Sequence, residues 1–144
     1  MLVGDAMGRG MLDLLYAGGD FATWAAQWPG SNLNDPEGDF DHDGMSNDDE
    51  RVWGLNPTSG VSFSPIKSMA ALTAGTFTYT RRPPSLSGRT YTVWTSPNLT
   101  TWTQDTGAIQ TPGAAVGGVE TVTVTITPAL RSSASLFIRL QAAP

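Results

Sequence analysis

Cysteine is missing altogether from the 144 residues, and there is a single histidine, His42. Without cysteine there is no disulfide framework, no thiolate zinc site and no cysteine nucleophile, so any staple in the fold must be of another kind. Long apolar runs are also lacking. The stretch Met11, Leu12, Leu14, Leu15 is broken by Asp13, far short of the roughly 20 apolar residues that a membrane helix needs. It also makes a poor signal peptide, since only Arg9 precedes it and Gly18-Gly19 follow without a convincing cleavage site. Membrane insertion is not expected, and any export would be as part of an exported chain. What is present is 40% apolar residue with 16 Gly and 10 Pro, a composition that folds and excludes a largely disordered chain.

The charge is unevenly spread. Residues 1–60 hold 11 acidic and 2 basic side chains, whereas residues 61–144 hold 2 acidic and 6 basic ones. Lys67, Arg81, Arg82, Arg89, Arg131 and Arg139 are too dispersed for a nucleic-acid surface, and the acidic half would repel phosphates. No nucleic-acid partner is expected.

Hydrophobic periodicity divides the chain at the same place. Asp20 reads as an N-cap after Gly18-Gly19, and Phe21, Trp24, Ala25 and Trp28 follow at i, i+3, i+4 and i+7, with Pro29-Gly30 as the stop. The polar stretch 31–44 is irregular. A second short helix is expected over 46–53, because Ser46 and Asp49 form a capping-box-like start and Gly54, Leu55 and Pro57 form an exit. Beyond residue 60 the period becomes two. Segments 76–80, 90–95, 121–126 and 136–140 alternate apolar with polar and are rich in Thr, Val and aromatics, which predicts strands. Weaker strands are expected at 61–66 and 99–104, making six, and the Gly/Ala/Pro stretch 107–118 reads as loop. The expected architecture is mainly β with a small α segment: a helix, an EF-hand-like loop and a helix over 1–60, then a small antiparallel β-sandwich over 61–144.

One motif carries specific chemistry. Asp39-Phe40-Asp41-His42-Asp43-Gly44-Met45-Ser46-Asn47-Asp48-Asp49-Glu50 satisfies D-x-[DN]-x-[DN]-G-x5-E at every constrained position. Asp39, Asp41 and Asp43 would aim carboxylates at one centre, and Gly44 would permit the turn. Met45 would offer its backbone carbonyl, Asn47 would contribute directly or through water, and Glu50 would close the shell with both oxygens. Ca2+ is the expected cofactor. Frames starting at Asp35 or Glu37 fail, since they put Phe40 or His42 where Gly is required. Glu50→Gln should weaken binding more than any other single change.

This single loop followed by a short helix resembles the bacterial extracellular EF-hand-like loops of dockerins and thrombospondin type 3 repeats. From Phe21 to the end the chain also resembles the C-terminal region of large secreted bacterial proteins. The residues concerned are an FxxW helix, the DxDxDGxSNxxE loop, the exit Gly54-Leu55-Asn56-Pro57-Thr58, and the β-domain pattern Tyr91, Val93, Ser96, Asn98, Leu99, Trp102. Asn56 stands where that pattern has Asp, and Trp94 where a polar residue is expected. The resemblance implies a calcium-stabilised, non-catalytic module at the cell exterior.

Enzyme chemistry is short of parts. His42 lies between two loop aspartates, and Asp105 and Glu120 are the only acids after residue 60. The function expected is a structural or adhesive extracellular or cell-surface module, in which calcium stabilises the fold and the geometry between segments. The alternative is a carbohydrate-binding module, or an accessory or sorting domain of a larger secreted enzyme. Trp94, on the strand face opposite Tyr91 and Val93, is the candidate carbohydrate contact. Besides calcium, the partner would be a polysaccharide or another cell-surface protein. Leu99 and Trp102 are expected in the core.

Overall fold

The computed structural model describes residues 15–144. The chain divides into two compact units, one formed by the residues up to Arg51 together with Asn56–Phe63, the other by Val52–Leu55 and Ser64–Pro144.

In the first unit, helix α1 spans Leu15–Ala25 and helix α2 begins at Asn47 and runs to Trp53. The i, i+3 spacing places Phe21 and Trp24 on one side of α1, where their rings lie 5.4 Å apart and bury Leu33 with them. Asp20 is not the N-cap that the sequence predicts. It sits inside α1, and its carboxylate pairs with Arg51, a residue only 5% exposed that also binds Asp48 at 2.7 Å. A carboxylate engaged by a buried guanidinium is better satisfied than one spent on a helix end, and that partner is 31 residues away.

The start of α2 is capped as its sequence predicts. Ser46 Oγ accepts the Asp49 N–H at 3.1 Å, while the Gly38 and Pro36 carbonyls accept the N–H groups of Asn47 and Asp48. The otherwise orphan donors of the first turn are thereby met. Gly38 suits this approach, since a Cβ there would lie 3.1 Å from Asn47 Nδ2 and 3.3 Å from the Asp35 carbonyl, tight contacts that the loop would have to accommodate.

The second unit is mainly β, with two antiparallel sheets. Strands β1 (Ile66–Met69), β2 (Thr76–Arg81), β6 (Glu120–Thr125) and β5 (Ile109–Pro112) form one sheet in the order β1-β2-β6-β5. Strands β4 (Thr103–Gln104), β3 (Thr90–Ser96) and β7 (Phe137–Ala143) form the other, in the order β4-β3-β7. A single turn, α3 (Pro84–Ser87), links β2 to β3. The four strongly alternating segments all become strands. Of the weaker ones, the first is displaced to β1 and the second shrinks to β4. The stretch expected to be loop contains β5, which pairs with β6 from Ile109↔Thr125 to Pro112↔Val122.

Alternation decides what is buried. Phe77 and Tyr79 from β2, Val122 and Val124 from β6, and Val93 from β3 share one core with Ile126, and Ile138 and Leu140 of β7 pack on it. On the opposite face of β2 and β6, threonine faces threonine at Thr76↔Thr125, Thr78↔Thr123 and Thr80↔Thr121. The core row ends in a charged pair, Arg81 Nε to Glu120 Oε2 at 2.7 Å, with Arg81 also donating to the Tyr79 hydroxyl at 3.1 Å. Burial pushes the Tyr79 hydroxyl up to about 12. It therefore stays a neutral donor to Gln110, whose amide in turn donates to the Tyr91 carbonyl at 3.0 Å. Leu99 and Trp102 are not core residues. Leu99 is 60% exposed in a left-handed turn, and Trp102 is half-buried against Arg139.

The last residues of α2 and its exit belong to this second unit. The Val52 carbonyl accepts the Arg82 N–H at 2.8 Å and lies 3.0 Å from the Tyr91 hydroxyl, and the Trp53 carbonyl accepts the Thr80 hydroxyl at 3.0 Å. The orphan carbonyls of the helix end are thus taken up by β-sheet residues. Gly54, at φ +69, turns the chain there. A Cβ at this position would stand 2.7 Å from Val119 Cγ1, so glycine is demanded twice.

Candidate metal centre

The residues of the acidic loop converge because the backbone turns tightly and hydrogen-bonds to its own side chains. His42 and Gly44 take positive φ values of 62° and 98°. Nothing lies within 4 Å of a Cβ placed on Gly44, so the need for glycine there is conformational rather than steric. The Asp39 carboxylate accepts the N–H groups of Asp43 (3.2 Å) and Gly44 (2.9 Å), and Asp43 Oδ1 accepts that of Met45 (2.8 Å). These bonds bring one oxygen each from Asp39, Asp41 and Asp43 within 4.8 Å of one another, a cluster able to hold a metal ion.

Glu50, in the first turn of α2, is not one of the three clustered carboxylates, but it lies within the field of all three. It is fully buried, and neither of its carboxylate oxygens has a hydrogen-bond partner; Asp41 Oδ2 and Asp43 Oδ2 are likewise buried and unpartnered. Desolvation, followed by the fields of Asp41, Asp43, Asp39 and Asp49, pushes the Glu50 carboxyl up to about 8. Asp41 is raised as well, first by burial and then by Asp43, against the lowering effect of backbone N–H groups from Asp43 and Ser59. Four buried acceptor atoms with no donor are costly unless a cation meets them. The donor set, oxygen throughout, suits a hard divalent ion.

The remaining predicted residues are placed differently. Met45 lies in the turn, half-buried. Asn47 is 4% exposed, and its side chain ties the loop together: Oδ1 accepts the Phe40 N–H at 3.3 Å and Nδ2 donates to the Asp35 carbonyl at 2.9 Å. Sequence reasoning missed Ser59 and Gly60, whose backbone closes on Asp41 from the exit segment, with a Cβ on Gly60 falling 3.5 Å from the Asp41 carbonyl. Trp94 is remote from this cluster in sequence and lies in β3 of the second unit. The two late acids are engaged: Glu120 by Arg81, and Asp105 by the Thr127 N–H (2.9 Å) and hydroxyl.

A pH dependence follows from Glu50. Its folded value lies above its unfolded value of 4.5, so between these values the folded, metal-free state holds a proton that the unfolded state has released. Its contribution to stability is complete below pH 4.5 and is lost as pH rises toward 8, at about 1.4 kcal/mol per unit. Melts in chelator should therefore fall in temperature across this window. A stability in chelator that rises across the same window would contradict the burial of Glu50.

The features above define a mainly β protein of two antiparallel sheets whose first unit carries an aspartate cluster able to hold a metal ion. No family model, curated protein or solved structure matches the chain. Among the described residues no helix is long and apolar enough to cross a membrane.

Proposed function

We propose that the protein is a calcium-binding, non-catalytic structural or adhesive module that works outside the cell, with its two sheets packed as a sandwich. The observation that carries the calcium reading is the set of buried, unpartnered oxygens on Asp41, Asp43 and Glu50 beside Asp39. Asp39, Asp41, Asp43 and Glu50 would hold the ion with the Met45 carbonyl, and Asn47 would hold the loop around them. Several carboxylates closed by a bidentate Glu favour Ca2+ over the smaller, more strongly hydrated Mg2+. The ion would supply the staple that the chain lacks without cysteine. An exterior location goes with that reading if the affinity falls at about 0.1 to 1 mM, the range of extracellular calcium modules.

Thermal melts in chelator, in millimolar calcium and in millimolar magnesium test this reading. At about ten times Kd, calcium should add roughly 1.4 kcal/mol to the folded state, and magnesium clearly less. Identical melts in all three, together with no heat on calcium titration, would remove the proposal.

A further inference from the structure

We propose that the β4-β3-β7 sheet, on its face opposite the core, binds an acidic saccharide whose carboxylate is received by Arg139 between Trp94 and Trp102. This takes up the adhesive part of the function proposed above and none of its calcium chemistry, so the two proposals fail separately.

The side chains are brought together by register. Gln104, Trp94 and Arg139 lie in one cross-strand row, and Thr92 and Gln141 are paired in the next. All stand on the face away from buried Tyr91 and Val93. The Arg139 guanidinium carbon lies 4.4 Å from the centre of the Trp102 ring and 5.8 Å from that of Trp94, within cation–π range of both. Trp94 is held in place by its indole N–H, which donates to Thr92 Oγ1 at 3.0 Å. That bond fixes the orientation of the Trp94 ring on the strand.

Arg139 is positioned but not satisfied. It is exposed and makes no hydrogen bond or ion pair with any described residue. Both acids of the second unit are committed elsewhere, Glu120 to Arg81 and Asp105 to Thr127. A guanidinium carbon 4.4 Å over the Trp102 ring leaves N–H groups without a protein acceptor among the described residues, and a guanidinium fork takes a planar carboxylate with two parallel hydrogen bonds. The neighbouring groups choose the rest of the ligand. Gln104, Gln141 and Thr92 offer neutral donors and acceptors for hydroxyls, and the Trp94 ring, farther from the guanidinium than Trp102, offers an apolar plane for the C–H face of a sugar. Arg139 is the only charged residue in these rows. One cation among neutral partners matches a polymer with one carboxylate per ring, whereas a run of phosphates calls for several cations together.

The test is a tryptophan-fluorescence titration of the full chain with trigalacturonate and, at the same concentrations, with neutral maltotriose, in calcium-containing and in calcium-depleted buffer. Saturable quenching by trigalacturonate in both buffers and a much weaker response to maltotriose are expected. Arg139→Gln should weaken trigalacturonate binding about tenfold or more with an unchanged melt, and Arg139→Lys should recover only part of it, since a point charge lacks the fork. Equal binding of the two sugars, unchanged affinity in Arg139→Gln, or no response to trigalacturonate would each overturn the proposal. Capture of a protein by this face, with no effect of trigalacturonate on that capture, would overturn it as well.

Discussion

Glu50→Gln is expected to melt at a higher temperature than the native chain in calcium-depleted buffer and at a lower one in millimolar calcium. The opposite signs come from one carboxylate doing two things. Without an ion, a fully buried Glu50 with neither oxygen paired must hold a proton against its ordinary preference or face the loop aspartates as a charge. At pH 7 the gap between its values of 4.5 and about 8 amounts to roughly 3 kcal/mol of destabilisation, less whatever a buried amide costs in its place. Gln removes that repulsion, which is worth several degrees in a chain of this size. With calcium present, the same change deletes a charged ligand that would supply two oxygens, and affinity should fall on the order of a hundredfold or more. Calorimetric melts of both proteins in both buffers decide the matter. A variant less stable than the native chain in both would mean that Glu50 is a structural acid with partners of its own, and the metal reading would be lost.

The second large effect belongs to the sheets. Glu120→Ala should cost about 3 to 5 kcal/mol, because it leaves the Arg81 guanidinium in a site where both side chains are only 10% exposed. Arg81 also donates to Tyr79 and lies 4.8 Å from the centre of the Tyr91 ring, so its displacement would disturb two buried aromatic residues. The double change Arg81→Met with Glu120→Leu should recover most of the loss, since an apolar pair of similar volume carries no stranded charge. Urea unfolding followed through the second unit measures both. A single variant within 1 kcal/mol of the native chain, or a double variant worse than the single, would show that the pair is effectively solvated.

How much of this was readable beforehand depended on whether burial was one-sided. The segments around Phe77, Val93, Val122 and Ile138 alternate because one face of each meets the core, and all four are strands. Strands β1 and β5 show almost no alternation in burial, with only Ile66 and Gln110 less than exposed. They lie at the edges of their sheet and are held by backbone pairing, which leaves little mark on side-chain pattern. Within the loop, the spacing of Asp39, Asp41 and Asp43 was legible because those contacts are local. The pairing of Asp20 with Arg51 and the closure of Ser59 on Asp41 were not, because each needs the chain to return from elsewhere.

The threonine ladder has a consequence for how the β2–β6 pair finds its alignment. Slide one strand past the other by two residues and threonine again opposes threonine, with an apolar residue again opposing an apolar one. A chain that reads the same after such a step could settle into several alignments of similar energy. Arg81 opposite Glu120 breaks that degeneracy, since any slipped pairing would bury one charge against a partner that cannot answer it. The ion pair then acts as a positional mark on an otherwise repeating scale, so that the charges favour one register of a ladder whose other pairs repeat.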